Sequence, residues 1–153
     1  MKTSVIVATY NRPLYLRLCL LSLAASSVRP DEVLVADDGS TFETVDTIRE
    51  MQTSLKEVFP ILHVRQERKG IRKQIVVNEA VRQSSGDYLF FTDGDCIVHR
   101  HCLREHLQRS DPRAILAGQR VQLGKQLTEK LLNNGTVVNT LTLEMLVDFL
   151  ARR

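Results

Sequence analysis

Short apolar runs alternate with segments of helical spacing along this chain. Ser4 to Thr9, rich in β-branched residues, reads as a strand. Leu14, Leu18, Leu21 and Ala25 then recur at helical spacing, with Asn11 as cap and Pro13 in the first turn. Glu32 to Ala36 is a second strand after the Pro30-Asp31 turn. Ser40-Thr41-Phe42-Glu43 has the form of a capping box and starts a second helix. Pro60 to Val64 is a third strand, followed by a helix from about Ile71 to Ser84 that Gly86 ends. Tyr88 to Thr92 is a fourth strand, Arg100 to Arg109 is helical, and Ala114 to Gln122 offers a fifth strand after the Asp111-Pro112 turn. This alternation predicts an α/β fold: a mostly parallel sheet with right-handed crossovers, covered on both faces as a three-layer α/β/α sandwich.

Two of the apolar runs end in acid. Val33-Leu34-Val35-Ala36 leads into Asp37-Asp38-Gly39-Ser40, and Tyr88-Leu89-Phe90-Phe91-Thr92 into Asp93-Gly94-Asp95. In open α/β sheets ligands sit beyond the carboxyl ends of the strands. Two carboxylate clusters on that edge repel each other unless a cation or ligand donors offset the charge. The pattern points to a metal-assisted site for a phosphorylated ligand.

Within that site, Asp93 and Asp95 can share a divalent cation, with Gly94 allowing a tight backbone turn. Mg²⁺ or Mn²⁺ suits carboxylate oxygens plus substrate phosphates. One carboxylate of Asp37-Asp38 can accept a hydrogen bond from a base or ribose, while Ser40 caps the next helix. Tyr10 can stack on a base, and Thr9 and Asn11 can exchange hydrogen bonds with it. Arg65, Arg68, Lys69, Arg72 and Lys73 form the dense basic cluster. A charge run is ordinarily a solvated face; Arg72 and Lys73, where a helix begins at the ligand edge, are the better candidates for a diphosphate. Cys96, His99, His101, Cys102 and His106 contain no C-x-x-C pair, so zinc is not expected; His99 follows the acidic cluster closely, and the others read as helix surface or core.

Composition narrows the classes. A length of 153 residues suits one domain, and 43% hydrophobic with 25% charged residues is ordinary for a globular protein. A net charge of +3 gives no basis for nucleic-acid binding. Three cysteines without a framework spacing fit a reducing compartment, and the stretch from Leu14 to Ala25 is too short to span a bilayer. The expected location is the cytoplasm, including its membrane face.

Thr3-Ser4-Val5-Ile6-Val7-Ala8-Thr9-Tyr10-Asn11-Arg12, Val35-Ala36-Asp37-Asp38-Gly39-Ser40, Gly70 to Ala80 with Asn78, and Ser85-Gly86-Asp87-Tyr88-Leu89-Phe90-Phe91-Thr92-Asp93-Gly94-Asp95 stand in this order over residues 3 to 95. Together they resemble the ordered motifs of family 2 glycosyltransferases, continuing weakly through Ala117-Gly118-Gln119-Arg120. The resemblance implies a GT-A fold and a nucleotide-sugar donor, usually a UDP-sugar. It also implies inverting transfer to an acceptor hydroxyl, carbohydrate or lipid-linked, in glycan or cell-envelope polysaccharide synthesis. Carried over by motif, Thr9, Tyr10 and Asp38 hold the nucleoside, with Asn11 and Asp37 beside them. Arg72 or Lys73 lies near the base or diphosphate. Asp93 and Asp95 form the metal pair, with Asp95 nearest the cation.

The chain departs from the family pattern in its second half. An acidic motif past the midpoint usually supplies the general base, and nothing after Asp111 matches it; Glu129, Glu144 and Asp148 lie in helix-like contexts. Residues 1–122 are expected to form the nucleotide-sugar-binding domain and 123–153 a helical extension that starts an acceptor-binding part. Within it, Thr136 to Leu150 is apolar on more than one face, which suits a truncated chain, a helix docked on its own sheet, or a subunit or peripheral membrane contact. Two other readings compete. A haloacid-dehalogenase-type phosphatase also places Asp-x-Asp after a strand, and a non-catalytic module could bind the donor without transferring its sugar.

Overall fold

A computed structural model describes residues 1–134; the apolar segment Thr136 to Leu150 lies outside them. The described elements are strand β1 (Thr3–Thr9), helix α1 (Pro13–Ala24), β2 (Glu32–Asp37), α2 (Phe42–Ser54), β3 (Ile61–Arg65), α3 (Lys73–Gln83), β4 (Tyr88–Asp93), α4 (Cys102–Gln108) and α5 (Lys125–Asn134). The four strands are parallel, in the order β3-β2-β1-β4.

Side-chain alternation along the two inner strands sorts the core into layers. Val5, Val7, Val33 and Val35 face one way and pack with Leu16, Leu20 and Leu23 of α1 and Ile48 and Met51 of α2. Ile6, Leu34 and Ala36 face the other way, against Val76 and Ala80 of α3. Both faces are therefore apolar, which is why β1 and β2 read as continuous hydrophobic runs and are buried throughout. The result is the expected three-layer α/β/α sandwich.

The chain builds outward from β1 through β2 to β3, then crosses back over the opposite face to lay β4 on the far side of β1. Strand order thus reverses between β1 and β4. The crevice beyond the carboxyl ends of strands at such a reversal is where doubly wound sheets take their ligands.

Several local expectations are corrected. Ala114 to Gln122 forms no strand; Ile115 is 98% exposed and the segment finds no sheet partner among the described residues. A strand is held by cross-strand pairs, and without them apolar residues alone do not make one. Asn11 does not cap α1, whose capping position is Arg12. Asn11 adopts φ 48°, a left-handed conformation that asparagine tolerates, and braces the next loop instead. Ser40 is not the cap of α2 either; Thr41 holds that position without a side-chain capping bond. Helix α3 ends at a Ser84 cap in extended conformation, and Gly86 has another role. A Cβ on Gly86 would fall 2.5 Å from Ser4 Oγ and 2.6 Å from Ser4 N, so glycine lets the α3–β4 connection pass against β1.

That connection is clamped by Glu32, a buried carboxylate at the opposite edge of the sheet. It accepts hydrogen bonds from Ser4 Oγ (2.6 Å), Ser85 N (2.7 Å) and Ser85 Oγ (2.8 Å). Burial alone would raise its pKa, but these hydrogen bonds outweigh burial and hold it below the usual glutamate value.

Candidate nucleotide-diphosphate site

Register fixes the site. Thr9 pairs with Asp37 and Ala8 with Asp93, so the acidic ends of β2 and β4 flank the end of β1 on the same rim. The two neighbouring aspartates of the first cluster then take different surroundings.

Asp37 is fully buried and tied into the protein. Its Oδ1 accepts from Ser40 N at 2.8 Å, and its Oδ2 lies 3.0 Å from His63 Nε2 and 3.4 Å from Arg65 Nε. Burial pushes its pKa up, yet the bonds from His63 and Ser40 prevail and lower it, so the carboxylate stays charged. Asp37 thereby anchors the loop that presents Asp38.

Asp38 receives its backbone bond through the rim, its N–H donating to Thr9 O at 3.1 Å. Its carboxylate gathers the segment after β3: Oδ1 accepts from Gln66 Nε2, and Oδ2 from Arg68 Nη1 at 2.7 Å and Arg72 N at 3.0 Å. Gly39 makes this approach possible. Its φ is +79°, and a Cβ there would stand 2.7 Å from Arg68 N. The Arg68 guanidinium also lies 4.0 Å from the ring centroid of Tyr10, over its face. Tyr10, Arg68 and Asp38 therefore form one contiguous surface.

Asn11 braces this surface from the other side. Its N–H donates to Ser40 Oγ at 3.0 Å and its Oδ1 accepts from Thr41 N at 2.7 Å. Arg72 reaches Asp38 through its backbone; its guanidinium turns back to Glu67 O at 2.6 Å. Lys73, at the first turn of α3, does face the rim and pairs with Asp93 Oδ1. Arg120 pairs with Asp93 Oδ2 at 3.0 Å. Both oxygens of Asp93 are thus balanced by protein cations.

Asp93 begins a tight turn in which Cys96 N donates to Asp93 O at 3.0 Å and Gly94 N to Ala8 O at 2.8 Å. Gly94 is needed for closeness rather than for a left-handed backbone: a Cβ there would meet Ala8 O and Thr9 Oγ1 at 3.2 Å each. The turn gathers one ligand atom each from Asp93, Asp95 and Cys96, all within 4.8 Å of one another. Beside it, Thr9 is 8% exposed and its Oγ1 is buried without a hydrogen-bond partner among the described residues. Below, the buried thiol of Cys19 lies 3.8 Å from Asp93 O, its pKa raised by burial and then by Cys96, Asp95 and Asp93 nearby. The hard carboxylate oxygens, the turn that converges them and the orphaned hydroxyl beside it fit a divalent cation.

Thr9, Tyr10, Asp38, Lys73, Asp93 and Asp95, the residues expected at a ligand edge, stand together at one rim. Of the basic cluster, Arg72 is an expected ligand-edge side chain, whereas the Arg68 side chain engages Tyr10 and Asp38. Cys96, expected on a helix surface or in the core, lies in the acidic turn before α4. His101 turns away to Ser27 Oγ at 2.9 Å, and His106 packs between Tyr88 and Phe90.

Comparison with known proteins identifies the family and the fold. Solved chains of similar fold are GT-A glycosyltransferases. The mannosyltransferase PcManGT from Pyrobaculum calidifontis, in complex with GDP-Man and Mn²⁺, matches with a TM-score of 0.64 and 26% identity, over 72% of this chain and 33% of that one. Staphylococcus aureus TarS 1–349 in complex with UDP-GlcNAc matches with a TM-score of 0.59 and 30% identity, over 71% and 30%. The uncharacterized glycosyltransferase YfnE of Bacillus subtilis (strain 168) is 34% identical over 110 residues, which are 71% of this chain and 26% of YfnE. Glycosyl transferase family 2 matches residues 4–148. The chain belongs to that family. It spans about a quarter to a third of the length of these relatives, and its family sets aside the phosphatase reading.

Proposed function

We propose that this chain is the donor-binding part of a metal-assisted, inverting glycosyltransferase that uses a nucleotide-sugar, a UDP-sugar by its resemblance. The observation that carries this reading is the placement of Asp38 and the Asp93–Asp95 turn on either side of the end of β1, where the strand order reverses. TarS, solved with UDP-GlcNAc, and PcManGT, solved with GDP-Man and Mn²⁺, support it as relatives of the same fold.

Tyr10, Thr9 and Asp38 hold the nucleoside. Asp93 and Asp95 hold a divalent cation, Mg²⁺ or Mn²⁺. Lys73 and Arg120, which pair with Asp93, turn to the diphosphate when it enters. A cation bound there supplies Lewis-acid stabilisation of the charge that develops on the leaving diphosphate. Transfer with inversion needs a general base for the acceptor hydroxyl. We assign none of the described carboxylates to that role, since those on the rim are committed to Asp38's loop contacts or to the cation. The base and acceptor site belong to residues beyond the donor-binding domain, which we place at 1–122, with 123–153 as a helical extension toward the acceptor-binding part.

The acceptor is a carbohydrate or lipid-linked hydroxyl, in glycan or envelope polysaccharide synthesis. No helix among the described residues is long and apolar enough to cross a membrane. We place the protein in the cytoplasm, with contact to the membrane face or a subunit through the segment after Asn134. Isothermal calorimetry with UDP tests the reading: binding is expected with Mn²⁺ and is lost or weakened at least ten-fold in Asp95→Ala. Equal affinity with and without the metal would overturn it.

A further inference from the structure

We propose that Cys96 is a third protein ligand of the divalent cation, so that this site takes the borderline-soft transition ions Co²⁺ and Zn²⁺ ahead of Mg²⁺. The proposal rests on the reading that Asp93 and Asp95 hold a cation and deepens it by naming which cation they hold.

Geometry brings the sulfur in. The Asp93–Cys96 turn closes through Cys96 N to Asp93 O at 3.0 Å, which folds residue 96 back over residue 93. Cys96 Sγ lies 3.8 Å from Asp95 Oδ1. A sulfur at about 2.3 Å and an oxygen at about 2.1 Å from one tetrahedral ion would stand about 3.6 Å apart. The two atoms are thus already spaced as neighbours in one coordination sphere.

One feature beyond the turn itself points to a metal ion here, the Thr9 hydroxyl, and Arg120 shows that the carboxylate and the sulfur can face one positive group. Arg120 Nη1 lies 3.0 Å from Asp93 Oδ2 and 3.9 Å from Cys96 Sγ, so one positive group already contacts both the carboxylate and the sulfur. Thr9 Oγ1, buried and without a partner among the described residues, sits 3.2 Å from where a Gly94 Cβ would be, at the middle of the same turn. Packing does not account for Cys96, which is half-buried and lies outside the apolar core clusters that hold Cys19 and border Cys102.

The chemistry sets the preference. Mg²⁺ demands oxygen ligands and gives up water reluctantly, whereas a sulfur ligand favours softer ions. As the metal–sulfur bond forms, the thiol proton leaves to solvent, and the sulfur lone pair becomes the ligand.

The test is Co²⁺ titration of the whole chain with UDP present, followed by absorption. Wild type is expected to show ligand-field bands together with a thiolate-to-Co²⁺ charge-transfer band, both removed by Zn²⁺ and left in place by equimolar Mg²⁺. Cys96→Ser is expected to lose the charge-transfer band, keep the ligand-field bands and bind Co²⁺ about ten-fold more weakly. Cys102→Ser is expected to keep both. Ligand-field bands that depend on Asp95 but come without charge transfer in wild type would overturn the assignment of Cys96 and leave the metal site standing. A charge-transfer band that survives Cys96→Ser would overturn it as well. Absence of any Asp95-dependent Co²⁺ binding would overturn both the proposal and the reading beneath it.

Discussion

Lys73 offers a test in which the sign of an effect reverses with the ligand present. Its ammonium pairs with Asp93 Oδ1, and both groups are partly exposed, the Lys73 side chain at 49% and that of Asp93 at 34%. Solvent-exposed ion pairs contribute about 0.2–1 kcal/mol. A cation that needs the same oxygen must displace that pairing, so Lys73→Ala should raise Mn²⁺ affinity in the absence of nucleotide by about 1.4- to 5-fold. In the proposed donor complex the ammonium moves to the diphosphate, where a charge-assisted hydrogen bond would be worth about 1.5–3 kcal/mol. The same variant should therefore bind UDP in the presence of Mn²⁺ about 13- to 160-fold more weakly. Calorimetry with Mn²⁺ alone and then with UDP plus Mn²⁺ reads both numbers. The side chain is exposed, so folding is not at stake. Weaker Mn²⁺ binding without nucleotide, or unchanged UDP binding, would refute the exchange of partners at Asp93.

The remaining predictions concern the frame around the site. Asp37→Ala leaves His63 and Ser40 N without their buried acceptor, and should cost about 1–3 kcal/mol in urea unfolding; a loss below about 0.5 kcal/mol would show that Asp37 is not the anchor. Glu32 has a lowered pKa in the folded state, so its contribution is fully present above the unfolded glutamate value of 4.5 and fades as pH falls below it. Glu32→Gln should accordingly flatten stability against pH in that acid range, and a slope equal to wild type would contradict the clamp. Gly86→Ala drives a methyl into Ser4 and should destabilise by about 1–3 kcal/mol, checked by thermal melting.

The sheet was legible because its physics is local. Val5 to Ala8 and Val33 to Ala36 are apolar on both faces, and that pattern has few homes other than a covered parallel strand. The acidic ends were legible for the same reason: a charge that closes a buried run must stand at the rim. The Ala114 to Gln122 expectation failed because pairing is not local. Its residues are apolar enough for a strand, but among the described residues no neighbour supplies the ladder, and β4 remains an edge with Phe91 54% exposed.

Arg68 was hidden in a run of like charges, where nothing in spacing separates one guanidinium from the next. Its signal lay elsewhere, in Gly39: a glycine directly after two aspartates marks a place where another backbone comes close, and that backbone is Arg68. Asn11 misled because an asparagine before Arg-Pro looks like a cap, while its left-handed φ turns it toward Ser40 and Thr41. Cys96 has no cysteine partner at a metal-ligand spacing, which is the local signal of a thiolate site. Here the partners are carboxylates one and three residues away, joined by a turn that only the folded backbone closes.

The central claim is that the two acidic loops hold one cation and one diphosphate between them at the end of β1. Paramagnetic broadening by Mn²⁺ of the backbone amide signals, with UDP present, tests this most directly. Broadening is expected to centre on Thr9, Gly94, Asp95 and Cys96, to reach Asp38 and Gly39 across the rim, and to vanish in Asp95→Ala. Broadening centred on the acidic residues of α2, or unchanged by that substitution, would contradict it.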